Sequence, residues 1–154
     1  MLRTKLLALG GAAVVALTLA VPAGLTSAAT PADAIAQRKA MMDLQGATAA
    51  GIQAALKAGD TATVAKMAEA LSHSAKVLPT LFDKGTGPGA GQTKALPVIW
   101  EKWDDFKAAA TKLDTLATKL AEVAKGSDAA ATGAAFAEMG KDGCGGCHGT
   151  FRAK

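Results

Sequence analysis

Residues 97–126 read PVIWEKWDDFKAAATKLDTLATKLAEVAKG, and their periodicity decides the fold. Ile99, Trp103, Phe106, Ala110, Leu113, Leu116 and Leu120 recur three or four positions apart, the spacing that puts apolar side chains on one face of an α-helix. Lysines, aspartates and threonines fill the intervening positions, and Gly126 closes the run. The pattern predicts one long amphipathic helix opening at Pro97.

The same punctuation divides the rest of the chain. Thr30-Pro31-Ala32-Asp33 combines a capping hydroxyl, a proline suited to the first helical turn and an early acid, so it predicts a helix start, with the helix running to about Ala58. Gly59-Asp60 separates it from a second segment in which Val64, Met67, Ala68, Leu71, Ala75 and Leu78 repeat at helical spacing up to Pro79. Residues 81–96 are too rich in glycine for a regular element and predict one long loop. Ser127-Asp128 opens a fourth segment that carries both cysteines and runs to the C-terminus. Abundant alanine, lysine, leucine and methionine and the absence of tyrosine agree with an all-helical chain. Helices of such length, joined by short turns between the first and second and between the third and fourth, predict an antiparallel four-helix bundle.

Residues 1–29 read as a leader. Arg3 and Lys5 precede an uncharged apolar run over residues 6–21, and Ser27-Ala28-Ala29 offers the small residues of a cleavage site. The run is shorter than the roughly 20 residues a spanning helix needs, so removal is expected instead of a stable membrane anchor. One domain, residues 30–154, is expected to remain, exported to the periplasm. Its lysines are scattered among acids instead of forming a basic stripe, which gives no reason to expect a nucleic-acid partner.

The two cysteines of the chain lie in Cys144-Gly145-Gly146-Cys147-His148. This is the attachment pattern of c-type haem: two thiols about one helical turn apart can reach the two vinyl groups of one porphyrin, and the adjacent imidazole is then directed at the iron. A thiol redox pair normally follows a strand, and none is predicted before Cys144. A zinc site would need Cys144, Cys147, His148 and the distant His73 together, with Cys147 and His148 pointing to different sides of one helix. One haem c bonded through two thioethers, with His148 on the iron, is therefore expected. His73 lies off the apolar stripe of its segment and is expected to face solvent.

A haem motif at the far C-terminus of a four-helix bundle resembles the class II c-type cytochromes, the cytochrome c′ family, across essentially the whole of residues 30–154. In Ala36-Gln37-Arg38-Lys39-Ala40-Met41-Met42, the resemblance implies that Arg38 approaches a haem propionate and that Met42 faces the other side of the iron. Ile99-Trp100 followed by Phe106 resembles the family's third helix, and Phe136 and Arg152 match its last. The resemblance thus implies cofactor contacts at Arg38, Trp100, Phe136 and Arg152, with plain alternatives as a solvated charge, core aromatics or a complement to a helix dipole.

Thioether ligation by Met42 opposite His148 would suit an electron carrier exchanging with redox partner proteins. If Met42 only packs over the iron, the sixth position is open to nitric oxide or carbon monoxide. The carrier is the first expectation and the gas binder the alternative. An enzyme is not expected, because no histidine lies near Met42 to act as distal acid or base. A homodimer through the first two segments is a further implication of the resemblance.

Overall fold

A computed structural model describes residues 30–154, so the leader and its cleavage site lie outside the described residues. Helix α1 spans Pro31–Lys57, α2 Thr61–Val77, α3 Val98–Glu101, α4 Trp103–Lys125, α5 Ala129–Glu138 and α6 Gly146–Phe151. A wide π-helical stretch, Met139–Gly145, joins α5 to α6, so residues 129–151 form one composite rod. With α1, α2 and α4 it makes a four-helix bundle. Among the described residues the sole β-type pairing is an isolated bridge between Ala95 and Arg152.

The start signals work as their chemistry requires. The Thr30 hydroxyl accepts from the Asp33 amide at 3.2 Å while the Asp33 carboxylate accepts from the Thr30 amide at 2.8 Å, a reciprocal capping box. Asp60 accepts from the Thr63 amide and Asp128 from the Ala131 amide, both at 2.9 Å. Each satisfies a donor that the first helical turn leaves without a partner.

The buried residues fall into two groups. Ile52, Val64, Ala68, Leu71, Leu116, Ala117, Leu120 and Met139 form the centre of a cluster shared by α1, α2, α4 and the composite rod. Leu78, Phe82, Ile99, Phe106 and Phe151 form a second, aromatic cluster at the opposite end, with Met41, Met42, Trp100, Trp103 and Cys147 packed against it. Five of the six aromatic residues of the chain therefore stand at one end. Leu120 has no exposed surface in the first cluster. Leu120→Ala is expected to cost about 3 kcal/mol of stability, the usual sum of lost transfer energy and residual cavity, measured by urea unfolding.

Three features depart from the pattern read in the sequence. The third segment is broken at Lys102 (φ −118°, ψ 54°), so α3 and α4 are separate pieces instead of one helix from Pro97. The break lets the Trp100 indole Nε1 donate to the carbonyls of Phe82 and Asp83, each at 3.1 Å, while Trp103 resumes the stripe against Phe106 with ring centroids 5.6 Å apart. The fourth segment widens into the π stretch, where Gly143 lies so close to α4 that a Cβ added there would stand 3.0 Å from Leu113 Cδ1. It also ends before the C-terminus: Arg152 is extended (φ −121°, ψ 133°). The Leu96 amide donates to the Phe151 carbonyl at 3.0 Å and the Ala153 amide to the Lys94 carbonyl at 2.8 Å, so the long loop is sewn to the chain end.

Candidate functional site

The aromatic end of the bundle encloses a cavity of about 600 Å³. Helix α1 contributes Arg38, Lys39, Met42 and Asp43 to its wall; the loop contributes Phe82 and residues 92–95; α3 and α4 contribute Ile99 and Phe106. From the last rod come Cys147, His148 and Phe151, and from the extended residues after it Arg152. The chain thus brings side chains about a hundred residues apart in sequence to one chamber, of a volume usual for cofactor sites.

Arg38 is 3% exposed, and its burial contradicts the plain alternative of a solvated charge. Its guanidinium donates to the Thr86 hydroxyl at 3.0 Å, the Thr86 carbonyl at 2.7 Å and the Thr93 hydroxyl at 2.9 Å. It also lies 5.0 Å from the ring centroid of Phe82 and 5.7 Å from that of Trp100. Burial lowers its pKa from the ordinary arginine value. All these partners are neutral, and no carboxylate among the described residues pairs with it. A buried cation on a cavity wall, with neutral acceptors only and N–H donors to spare, fits a ligand with an anionic edge.

Met42 lines the chamber and Met41 does not, although both pack against the aromatic cluster. Cys147 is half-buried on the cavity wall, and burial, then the neighbouring Cys144, pushes its thiol up to about 11. Cys144 is half-buried in the preceding π stretch and packs toward the first core cluster, off the cavity wall; burial raises its thiol as well. Desolvation, and then the Arg152 charge, lowers the His148 imidazole, favouring the neutral form that binds metals. Both thiols are free in a pair with no disulfide.

Two further residues singled out in the sequence are not on the wall. Trp100 holds loop carbonyls and flanks Arg38, and Phe136 packs against the first core cluster. His73 is exposed on α2, away from the chamber. Residues that the sequence did not single out also line it: Lys39, Asp43, Thr93, Lys94 and Phe151. Phe151 follows His148 by three positions, a helical spacing that carries a signal, whereas Thr93 and Lys94 reach the site only through the loop's pairing with the chain end.

The donor set fits a haem c: a soft thiol and an imidazole from one helix, a buried unpaired cation, and walls of Phe82, Ile99, Phe106 and Phe151. A family profile described as cytochrome C′ matches residues 33–152. The cytochrome c′ of Pararhodospirillum photometricum is 44% identical over 91 residues, 59% of this chain and 71% of that one. A solved cytochrome c′ described by an unusual ligand-controlled dimer dissociation superposes with a TM-score of 0.74 at 28% identity, covering 83% of this chain and 100% of that one. A nitric oxide complex of a variant cytochrome c prime from Alcaligenes xylosoxidans gives 0.69 at 26% identity, covering 82% and 98%. Bundle, motif, cavity and sequence agree, and the chain belongs to the cytochrome c′ family.

Proposed function

We propose that this protein is a periplasmic haem c protein that takes nitric oxide or carbon monoxide at an open face of its iron. Cys144 and Cys147 would hold the haem through two thioethers and His148 would bind the iron. When bound, the haem supplies the metal at which the gas is taken.

The observation that carries this reading is the composition of the wall that α1 gives to the cavity. That wall offers no imidazole, since His73 is off it, and its one soft donor is the Met42 thioether, beside the charged side chains of Arg38, Lys39 and Asp43. Family membership and the nitric oxide complex of a structural relative support leaving that face open. Around it, Phe82, Ile99, Phe106 and Phe151 exclude water, Arg38 meets an anionic edge, and Arg152 places a positive charge near the proximal imidazole. The presence of Met42 in the same chamber as His148 favours the second reading, an electron carrier with both residues on the iron.

Carbon monoxide added to the reduced protein separates the two. Prompt binding with a full shift of the Soret band is expected, and Met42→Ala should speed it several-fold by uncovering the site. An unchanged spectrum in the parent, with binding appearing only in Met42→Ala, would establish the second reading in its place.

Export belongs to the same proposal and rests on the leader pattern of residues 1–29. Among the described residues no helix is long and apolar enough to cross a membrane. The relative with ligand-controlled dimer dissociation supports a homodimer through α1 and α2, where Leu44 leaves 58% of its surface exposed.

A further inference from the structure

The mouth of the cavity carries most of the unbalanced charge of the domain. Its lining has four cations, Arg38, Lys39, Lys94 and Arg152, against one carboxylate, Asp43. The remainder of residues 30–154 has eleven lysines and twelve carboxylates, so the body is near neutral and the excess is concentrated at one opening. Arg38 is buried, which leaves Lys39, Lys94 and Arg152 as the exposed rim. None of these three pairs with an acid; of the eleven lysines elsewhere, four (Lys76, Lys107, Lys119 and Lys125) are in ion pairs, so what distinguishes the rim is the clustering of its cations and not their lack of partners alone.

The rim draws on three separate parts of the chain: α1, the loop, and the extended residues after α6. The pairing of Lys94 with Ala153 holds the last two together. Unpaired cations converging on the entrance to a redox centre create a local field that raises the encounter rate with an oppositely charged partner and orients it. An iron that takes carbon monoxide only when reduced also needs an electron delivered to it, and this entrance is the side on which Cys147 and His148 meet the surface.

We propose that the mouth of the cavity, ringed by Lys39, Lys94 and Arg152, is the docking surface for a protein redox partner that presents an acidic face. The proposal rests on the haem reading above. The haem propionates add negative charge to the same region, so the test uses the haem-loaded protein, where the net field is read directly.

The reduced protein is oxidised in stopped flow by ferricyanide, which takes one electron and becomes ferrocyanide, and separately by a tris-phenanthroline cobalt cation. Raising ionic strength from about 0.01 to about 0.2 M shortens the screening length several-fold. Over that range the ferricyanide rate is expected to fall about three- to tenfold and the cobalt rate to rise. Lys39→Glu with Lys94→Glu should cut the low-salt ferricyanide rate about tenfold and abolish or reverse its salt dependence. The matched pair Lys66→Glu with Lys112→Glu, away from the cavity, should change it less than twofold. Poly-L-glutamate at low salt should slow the parent and spare the rim variant.

A ferricyanide rate indifferent to salt overturns the proposal. So does an equal response of the two lysine pairs, or equal slowing of parent and rim variant by poly-L-glutamate. A preparation without covalent haem overturns the haem reading instead, and its absorption spectrum reveals that before any rate is measured.

Discussion

A chain carrying Cys144→Ser and Cys147→Ser is expected to lose nearly all haem on acid–organic extraction and to fold poorly. The reason lies in how the aromatic end is built. Leu78, Phe82, Ile99, Phe106 and Phe151 are buried beside a chamber of about 600 Å³ instead of filling it, and only Phe136 of the six aromatics lies elsewhere. A domain this small buries a modest fraction of its surface, and a large apolar group that binds only the folded state adds directly to its stability. Far-UV dichroism should show reduced helicity and a broad, weakly cooperative melt. Full helicity with a sharp transition would mean that the protein side chains alone complete this end.

Arg38→Ala is expected to destabilise the domain by about 3–5 kcal/mol, from buried acceptors left without donors at roughly 1–3 kcal/mol each together with lost packing on two aromatic rings. Three hydrogen bonds disappear at once, leaving the Thr86 hydroxyl and carbonyl and the Thr93 hydroxyl without their donor. The flat contacts to Phe82 and Trp100 go with them, and with those the anchor of the loop over residues 82–96 on α1. In a domain of this length the melting temperature should drop by about 10–20 °C. Arg38→Lys keeps the charge but loses the planar fork, and should recover only part of the loss. A fall of less than about 1 kcal/mol for Arg38→Ala would show that the loop is held by its pairing with the chain end.

The parts of the fold legible in the sequence were those set by short-range chemistry. Thr30, Asp60 and Asp128 announce helix starts because capping joins residues only two or three positions apart. The stripe from Phe106 to Leu120 announces a buried face because helical geometry is local. The break at Lys102 was not legible, since it accompanies bonds from Trp100 to carbonyls 17 and 18 residues upstream. Nor was the π stretch, where glycines permit close approach to Leu113 without specifying a wide turn.

The same division runs through the site. Cys144, Cys147 and His148 declare themselves by spacing, whereas the burial of Arg38 depends on Thr86 and Thr93, 48 and 55 positions away. Family resemblance pointed to Arg38 and Met42, and both line the chamber. Trp100 and Phe136, named on the same ground, do not line it: the first braces the loop and the second packs the opposite core. Electron transfer was the first expectation from the sequence; family membership and the nitric oxide complex of a solved relative support the gas-binding alternative better, and gas binding is accordingly what is proposed.

The optical spectrum of the ferric protein at neutral pH tests the central claim most directly, because it reports what stands on the iron opposite His148. An open distal face beside Met42 predicts a high-spin spectrum. A low-spin spectrum with the weak far-red band of an iron–thioether bond would contradict it and make the protein a methionine-ligated carrier.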